Sequence, residues 1–209
     1  MTRDEWNAAL IARYGASLHE KFSSATVAVC GLGGLGSNIA ISLARAGVGK
    51  LILIDFDRVD ITNLNRQQYR VSQIGKPKTE ALRENLLAIA PFLQTQIHTV
   101  RMTEDNAARL VREADIVCEA FDDAQAKAML VNCVCEQLPK TYLVAASGMA
   151  GLASPNAIKT RRIGQRFYLC GDGVSDVQSG LGLVAPRVML CAAHQALTVL
   201  RILAGEYEV

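Results

Sequence analysis

Two short motifs in this chain carry groups suited to phosphate chemistry. The first is a glycine turn, Gly-Leu-Gly-Gly-Leu-Gly at residues 31–36, directly after the apolar run at residues 27–30. The second is Asn-Leu-Asn-Arg-Gln at residues 63–67, followed by Gly-Lys-Pro-Lys at residues 75–78. A glycine turn that opens a helix lets backbone amides approach an anion. The arginine and the lysine add cations that stabilise the charge a reacting phosphate develops. Together the motifs predict a nucleotide whose phosphates take part in the chemistry.

The glycine turn alone indicates a nucleotide without saying which one. Gly31, Gly33 and Gly36 fit the pattern G-x-G-x-x-G, and Asp55 follows near the expected spacing of about 20 residues for an acid that holds a ribose hydroxyl. This pattern is most frequent in dinucleotide-dependent oxidoreductases. Its plainest alternative is a turn that merely connects a strand to a helix. Strand, turn, helix and acid occur in the required order, which favours a nucleotide.

The elements that must position these motifs alternate along the chain. Apolar runs predict strands at residues 27–30, 51–54, 96–100, 116–120 and 142–146. Helical spacing and end signals predict helices at residues 37–46, 78–89, 104–113, 124–135 and 186–204. This alternation predicts an α/β fold with a doubly wound, mostly parallel Rossmann-like sheet. Residues 157–163 and 166–170 predict a short antiparallel C-terminal extension, and residues 171–182 predict a mobile loop before the final helix.

The chain of 209 residues is expected to form a single domain. Residues 1–23 would form a helical lead-in, residues 24–148 the nucleotide-binding core, and residues 149–209 two strands, a crossover loop and the last helix. The formal net charge of +2 argues against a nucleic-acid partner. No window reaches the roughly 18 uninterrupted apolar residues of a membrane span, and the polar N-terminus lacks a secretory core. We therefore expect a cytoplasmic protein without a membrane partner.

Residues 55–67 make the pattern specific. Together with the glycine turn, Arg-Ala-Gly-Val-Gly at residues 45–49 and Gly-Lys-Pro-Lys at residues 75–78, they resemble the ThiF/MoeB/HesA family. That family is similar to the adenylating halves of ubiquitin-activating enzymes. The resemblance implies ATP and Mg²⁺ as cofactors. It also implies adenylylation of the C-terminal glycine carboxylate of a small ubiquitin-like sulfur-carrier protein, with release of pyrophosphate.

Within the family, the short chain most resembles the compact, zinc-free ThiF form, which acts on the carrier ThiS in thiamine thiazole synthesis. The chain contains no Cys-x-x-Cys pair, and we expect no zinc. The resemblance implies a carrier that ends in Gly-Gly, with residues 149–209 binding it and the loop at residues 171–182 lying over its tail. It also implies a two-fold homodimer, the commonest closed assembly.

The chemistry of adenylylation gives candidate roles to several side chains. Attack on the α-phosphate builds charge on the leaving group, and Arg66 and Lys78 are suited to stabilise it, although an isolated surface cation is the alternative for each. The resemblance adds Asp122 as a Mg²⁺ ligand and an N-terminal arginine, for which Arg13 is the candidate and Arg3 its competitor. The candidate nucleotide-binding residues are Gly31, Gly33, Gly34, Gly36, Asp55, Asp57, Asn63, Asn65, Arg66, Gln67 and Lys78.

Asp122 and Asp123 leave one assignment open. Relatives have Asn after the metal-binding Asp, whereas this chain has a second carboxylate. Hard oxygen ligands suit Mg²⁺ at either position, and either residue could instead cap the following helix. One residue could serve each role.

The cysteines give little support for covalent chemistry. Some relatives carry a cysteine in the late crossover loop, where this chain has Asp-Val-Gln-Ser-Gly at residues 176–180. Cys170 lies upstream and could act as a nucleophile, but a packed thiol at a strand end is the favoured interpretation. Small hydrophobic packing is expected for Cys30, Cys118, Cys133 and Cys191.

Four other functions remain open from the sequence. A nicotinamide-dependent oxidoreductase would share the glycine turn and Asp55, but it has no use for the two cations. It would also need a substrate domain in the about 60 residues after Gly148. A non-catalytic nucleotide-binding scaffold would explain the missing loop cysteine. Within the family, a MoeB-like role on the molybdopterin carrier, or a role as a dehydratase that modifies small RNA, is a further alternative.

Overall fold

A computed structural model describes residues 1–177 and 180–209 as one sheet with helices on both faces. The strands are β1 Thr26–Cys30, β2 Lys50–Ile54, β3 Gln94–His98, β4 Ile116–Glu119, β5 Tyr142–Ala146, β6 Lys159–Arg162 and β7 Phe167–Gly171. The helices are α1 Arg3–Tyr14, α2 Ala16–Ser24, α3 Gly34–Arg45, α4 Lys78–Ile89, α5 Glu104–Val111, α6 Ala124–Gln137 and α7 Ala185–Ala204.

The strand order explains where a ligand can bind. The sheet runs β3-β2-β1-β4-β5-β7-β6, and every neighbouring pair is parallel except β6 with β7. The chain moves outward in one direction from β1 to β3 and in the other from β4 onward. Adjacent strands β1 and β4 therefore form the switch point, where the loops after both strands leave a crevice at their carboxyl ends. The predicted doubly wound, mostly parallel sheet is confirmed.

Two apolar cores hold the layers together. One lies between the sheet and helices α3, α4 and α7, and the other lies between the sheet and helices α5 and α6. The central strands contribute to both because alternate residues point to opposite faces. In β4, for example, Ile116 and Cys118 enter the first core and Val117 enters the second. Burial on both faces explains why these strands read as continuous apolar runs.

Several predicted boundaries differ from those observed. Helix α3 begins at Gly34, three residues before the predicted start, because glycines that disfavour a helix in sequence are required here by packing. The lead-in is two helices, separated by Gly15 at φ 88°. Strand β7 pairs in parallel with β5, so only β6 is antiparallel. Ala157, predicted to start a strand, instead ends the 3-10 turn Pro155–Ala157.

Among the described helices, only α7 is long and apolar enough to cross a membrane by length and mean hydropathy. Half of that stretch is buried inside the protein. Its buried apolar residues lie in the core shared with α3, and it also buries three polar side chains, Arg187, Gln195 and Thr198. Packing against α3 and the sheet therefore accounts for much of its apolar character.

The glycine turn is a site of close backbone approach. A Cβ atom at Gly36 would lie 1.8 Å from the carbonyl oxygen of Gly31. Gly31, at φ 87°, lies against the loop after β4, and a Cβ there would be 2.7 Å from the carbonyl oxygen of Ala120. Only glycine allows the turn, the first residues of α3 and the end of β4 to come together in this way.

Gly36→Ala should lower the free energy of unfolding by at least about 2 kcal/mol, because the added methyl meets backbone that cannot move aside as a side chain would. Urea unfolding at neutral pH measures the change. Gly164→Ala is the matched control, since a Cβ there has no atom within 4 Å, and its stability should stay within about 0.5 kcal/mol of the wild type. Equal stabilities for the two variants would contradict the proposed crowding.

Candidate functional site

The candidate site lies at the carboxyl ends of β1 and β4. The glycine turn follows β1, and the turn that carries Asp122 follows β4. The segment at residues 60–69 completes the site because it folds back over the first turns of α3. The site is therefore formed by loops fixed to a buried sheet, which is where ligands bind in doubly wound folds.

Polar side chains outside the predicted set hold the Asn-Leu-Asn-Arg-Gln segment in place. Asn38 Nδ2 donates to the carbonyl oxygens of Gly34, at 2.6 Å, and of Arg66, at 3.1 Å. The buried Tyr69 hydroxyl donates to the carbonyl oxygen of Leu32 at 2.7 Å, which ties the end of the segment to the glycine turn. Burial is the main cause that raises the pKa of Tyr69, so it remains a donor.

Arg66 lies directly over the start of α3. Its Cγ would be 3.4 Å from a Cβ atom at Gly34, so the glycine allows the arginine stem to cross the helix N-terminus. The guanidinium Nη1 donates to the Thr62 carbonyl at 3.1 Å and to Asn65 Oδ1 at 2.7 Å. Several N–H groups of its fork form no hydrogen bond with the described residues. Arg66 is thus oriented by its neighbours and retains donors for an anion at the helix N-terminus.

Lys78 is a buried cation at the first position of α4. Its side chain is 7% exposed, and its Nζ lies 2.8 Å from Oδ2 of Asp57, whose side chain is 47% exposed. The Lys78 backbone N–H also donates to the Asp57 carbonyl at 2.9 Å. One carboxylate partner leaves two of the three ammonium donors for another acceptor. The structure therefore brings Asp57 and Lys78 together as a pair on the β2 side of the site.

Asp55 braces the glycine turn. Its Oδ2 accepts the Leu32 N–H at 2.6 Å, and its Oδ1 accepts the Asp57 N–H at 2.8 Å. The carboxyl ends of β1 and β2 are joined through this one buried side chain. Each oxygen keeps a second lone pair, so the ribose contact predicted for Asp55 is compatible with this role.

The three amide side chains of the motif have different surroundings, and only that of Gln67 lies against the glycine turn. Gln67 is 7% exposed, its Nε2 would be 3.7 Å from a Cβ at Gly33, and its Oε1 is buried without a hydrogen-bond partner among the described residues. Because the amide can turn to present its oxygen or its nitrogen, the unpaired position can accept or donate a hydrogen bond. Asn63 Oδ1 accepts the Asp60 N–H at 3.0 Å, whereas Asn65 Nδ2 donates to the Leu183 carbonyl at 3.1 Å. The glycine cradle, the unpaired amide and the free cationic donors fit a nucleotide phosphate.

The structure separates the two adjacent carboxylates. Asp123 is the N-cap of α6, and its Oδ1 accepts the Ala126 N–H at 2.7 Å. Asp122 is exposed and forms no hydrogen bond or ion pair with any residue that the structure describes. No group of three or more His, Cys, Asp or Glu side chains is placed to hold a metal within residues 1–177 and 180–209. A single free carboxylate fits Mg²⁺, which usually takes one or two carboxylates together with phosphate oxygens.

The two N-terminal arginines lie elsewhere. Next to Arg13, the Tyr14 hydroxyl donates to the Ala46 carbonyl at 2.9 Å, just beyond the end of α3 that is remote from the glycine turn. A helix the length of α3 separates these ends by about 18 Å. The Arg3 guanidinium lies 5.2 Å from the ring centre of Phe92, at the amino end of β3. Within one chain, therefore, neither arginine joins Arg66 and Lys78.

Sequence reasoning missed a buried ion pair beneath the crossover loop. Arg187 Nη2 lies 2.5 Å from Asp172 Oδ2, and both side chains are 5% exposed. Arg187 also donates to the carbonyl oxygens of Ala150, Ala153 and Ser154, in the loop after β5. The pair clamps that loop to the segment after β7. An arginine one residue after Pro186, in the first turn of α7, was the available signal, but nothing in its spacing indicates burial.

Hydrogen bonds lower the pKa of Asp172. Burial favours a higher pKa, but donation from the backbone N–H groups of Ser175 and Val174 and from Arg187 outweighs it and lowers the pKa to about 2. The carboxylate therefore stays charged at neutral pH and keeps the clamp closed.

Cys170 is a packed thiol. It is fully buried, and burial raises its pKa, so the reactive thiolate is disfavoured. Cys30, Cys118, Cys133 and Cys191 are buried as expected, and Cys135 is exposed. In the crossover stretch at residues 176–180, Gln178 and Ser179 lie outside the described residues.

A family model described as the ThiF family matches residues 7–209. The chain belongs to the ThiF family. This confirms the resemblance drawn from the glycine turn and the Asn-Leu-Asn-Arg-Gln motif, both of which lie inside the matched region.

Curated relatives are similar to this chain over about half of its length or more. It is 37% identical over 130 residues to ubiquitin-like modifier-activating enzyme 5 of Caenorhabditis elegans, which covers 57% of this chain and 31% of that protein. It is 34% identical over 115 residues to a sulfur carrier protein adenylyltransferase of Thermus thermophilus, with 54% and 42% covered. Adenylyltransferase and sulfurtransferase UBA4 of Lodderomyces elongisporus is 28% identical over 205 residues, with 95% and 45% covered. The chain thus spans less than half the length of these relatives.

Solved structures match the fold over the whole chain. The E. coli tRNA N6-threonylcarbamoyladenosine dehydratase TcdA, in complex with ATP, has a TM-score of 0.89 at 23% identity and covers 99% of this chain and 98% of its own. E. coli MccB with ATP has a TM-score of 0.74 at 24% identity, with 100% and 65% covered. At these identities the likeness establishes the fold alone.

The Asp172–Arg187 clamp predicts an acid-sensitive contribution to stability. Because the pKa of Asp172 is about 2 when folded and about 3.9 when unfolded, its stabilisation is present above pH 4 and is lost as the pH falls toward 2. Between pH 5 and pH 2.5 the wild type should lose about 2 kcal/mol more free energy of unfolding than Asp172→Asn does. Urea unfolding across this range measures both. Asp105→Asn, at an exposed carboxylate, should follow the wild type, and an equal loss in Asp172→Asn would contradict the clamp.

Proposed function

We propose that this chain adenylylates the C-terminal glycine carboxylate of a small ubiquitin-like sulfur-carrier protein, using ATP and releasing pyrophosphate. The observation that carries the proposal is the placement of Arg66 across the N-terminus of α3, with Lys78 held by Asp57 on the β2 side of the site. Backbone amides alone would serve for binding a dinucleotide. Two oriented cations beside the phosphates are useful when a phosphate is the reacting group.

The reaction is an exchange at the α-phosphorus. A carrier carboxylate oxygen forms a bond to phosphorus while the bond to the bridging oxygen breaks, and pyrophosphate leaves with the electron pair. Arg66 can donate two parallel hydrogen bonds to phosphate oxygens, and Lys78 supplies a charge already desolvated by burial. Gln67 and the backbone at Gly33 and Gly34 would orient the chain of phosphates. Because the protein contributes positioning and charge and no covalent step, the absence of a reactive thiolate at Cys170 is no obstacle.

Asp122 is the residue proposed to hold Mg²⁺. When bound, the ion neutralises charge on the phosphates and the leaving pyrophosphate. Asp122 fits this role because it is exposed at the switch point and has no partner there among the described residues, while Asp123 is occupied as the cap of α6. This division supports Asp122 over Asp123 as the metal ligand, the choice that the sequence leaves open.

The carrier is proposed from the crossover segment and from the relatives. The chain at residues 180–184 passes between the loop after β5 and the Asn-Leu-Asn-Arg-Gln segment. The Gly182 carbonyl oxygen accepts from the Gly151 N–H at 2.8 Å, and the Leu183 carbonyl oxygen accepts from Asn65 Nδ2. A flexible tail lying along this segment would end beside the α-phosphate. A Gly-Gly terminus suits such a path because it has no side chains. The Thermus relative is named for action on a sulfur carrier, which supports the same class of substrate here.

The proposed carrier is ThiS-like, and the proposed pathway is thiamine thiazole synthesis. The chain is proposed to act in the cytoplasm as a two-fold homodimer. The role that the resemblance implies for Arg13 requires this dimer, because Arg13 is too remote to reach a phosphate in its own chain. A MoeB-like role on the molybdopterin carrier is the alternative within the family. Membership of the ThiF family leaves the nicotinamide-dependent function without support of its own.

Carrier-dependent ATP–pyrophosphate exchange tests this function. With Mg²⁺ and a ThiS-like protein ending in Gly-Gly, labelled pyrophosphate should enter ATP, because adenylate formation is reversible. Exchange should vanish when the final glycine of the carrier is removed. A molybdopterin-type carrier serves as the comparison, and preference for it would replace the thiazole pathway. Lack of exchange with every carrier would reject the adenylylation proposal.

Arg66→Ala and Lys78→Ala should each lower the rate of exchange by about 100-fold or more, the scale for removing one preorganised charge stabiliser. Lys76→Ala is the matched control, since Lys76 lies on the same loop, is half exposed, and pairs with Glu84 at 2.8 Å. Its rate should remain within about twofold of the wild type. Full activity in either site variant would remove that residue from the mechanism.

A further inference from the structure

Glu119, the last residue of β4, is a buried carboxylate to which the proposed reaction gives no role. Its side chain is 1% exposed, and Lys127 Nζ donates to both of its oxygens at 3.0 Å. Lys127 belongs to the first turn of α6 and is about one quarter exposed. Burial raises the pKa of Glu119, and the Lys127 ammonium acts against that rise. The pair therefore holds a charge at the end of a central strand, where apolar residues would be expected.

The ion pair fixes the turn between β4 and α6. Glu119 Oε1 also accepts the Phe121 N–H at 2.7 Å, inside the turn itself. Lys127 Nζ donates in addition to the carbonyl oxygen of Ala146, the last residue of β5, at 3.2 Å. Asp122 lies between these attachment points. Its place is thus determined by the strand before it, the helix after it and the neighbouring strand.

The turn between β4 and α6 also lies against the glycine turn. Ala120 donates its N–H to the Cys30 carbonyl at 2.8 Å, and its own carbonyl oxygen is the atom that a Cβ at Gly31 would meet. From the opposite face of the sheet, Gln195 Nε2 donates to the Glu119 carbonyl at 3.0 Å. Any shift of Glu119 would therefore move the Asp122 turn relative to the glycine turn.

Stability does not account for this arrangement. A buried ion pair contributes little net stability, because removing two charges from water costs about as much as their attraction returns. A pair at the amino end of the same sheet, Lys50 with Glu113 at 2.9 Å, has a carboxylate that is 53% exposed and is close to no candidate residue. It serves as a matched control for an ion pair without a role in the site.

We propose that Glu119 is a positioning residue that sets the place of Asp122 beside the glycine turn through its bonds to Lys127 and to the Phe121 amide. Glu119 does not touch the nucleotide. Its effect is on Mg²⁺ binding next to the phosphates, and the inference rests on the role proposed for Asp122.

The test is calorimetric titration of the full chain with ATP at a series of Mg²⁺ concentrations, without carrier. Glu119→Gln should raise the Mg²⁺ concentration for half-maximal enhancement of ATP binding about tenfold, the scale for losing a group that orients a metal ligand. Asp122→Asn should raise it at least as far. The double variant should be no worse than Asp122→Asn alone, because residues acting through one ligand are not additive. Glu113→Gln should match the wild type.

Hydrogen exchange supplies a readout that needs no ligand. In free protein, the amides of residues 120–126 should exchange faster in Glu119→Gln than in Glu113→Gln, since the acceptor of the Phe121 N–H and the anchor of α6 are weakened. If Glu119→Gln does not fold, Lys127→Met breaks the same pair from its partly exposed side and should give the same two results.

The outcomes separate this inference from the proposed function. Wild-type Mg²⁺ dependence in Glu119→Gln, or an additive loss in the double variant, would overturn the positioning role. Wild-type protein that binds ATP with Mg²⁺ but shows no carrier-dependent exchange would reject adenylylation of the carrier and leave the positioning result standing. ATP binding by the wild type that is indifferent to Mg²⁺ would overturn the inference directly.

Discussion

The site depends on the contact between two backbone segments at the switch point of the sheet. The glycine turn after β1 and the loop after β4 approach so closely that Gly31 meets the Ala120 carbonyl and Gly36 meets Gly31. Without side chains at these positions, α3 can start immediately beyond the strand and direct its N-terminus into the crevice. The positive end of the helix then lies beside the place where a phosphate would bind. Every other candidate group is placed relative to this contact.

Residues outside the motifs fix the motifs in space. Asn38 and Tyr69 bind the backbone of the Asn-Leu-Asn-Arg-Gln segment and the glycine turn, and Asp55 binds the turn from the side of β2. These are buried polar groups that each have hydrogen-bond partners, an arrangement that favours one geometry because an unpaired group would be costly. Lys78 is restricted in the same way, because its burial and its pairing with Asp57 leave the ammonium little room to move. A charge held in this manner needs little reorganisation when a reaction begins.

The fold was largely predictable because its strands are buried on both faces and its helices have clear end signals. Helix α4 has the predicted bounds, since the Lys-Pro-Lys start and the Ala90-Pro91 stop are both local in sequence. Predictions were wrong where tertiary contacts override local preference, as in the start of α3 at Gly34. The site was predictable only for residues inside motifs. Glu119, Lys127, Arg187 and Asp172 are each ordinary charged residues in sequence, and their burial arises from which strands become neighbours.

Helix α7 connects the separate parts of the site. Val188, in its first turns, would be 2.9 Å from a Cβ at Gly34, and Arg187 beside it holds the two loops beneath the crossover. Two turns further along, about 11 Å away, Gln195 reaches the end of β4 at Glu119. A single helix thus contacts the glycine turn, the loops after β5 and β7, and the strand that leads to Asp122. Because a helix is stiff over this length, the loops after β5 and β7 and the Asp122 turn cannot shift independently of the glycine turn. A carrier tail lying along the crossover would therefore meet a phosphate site whose geometry is already set.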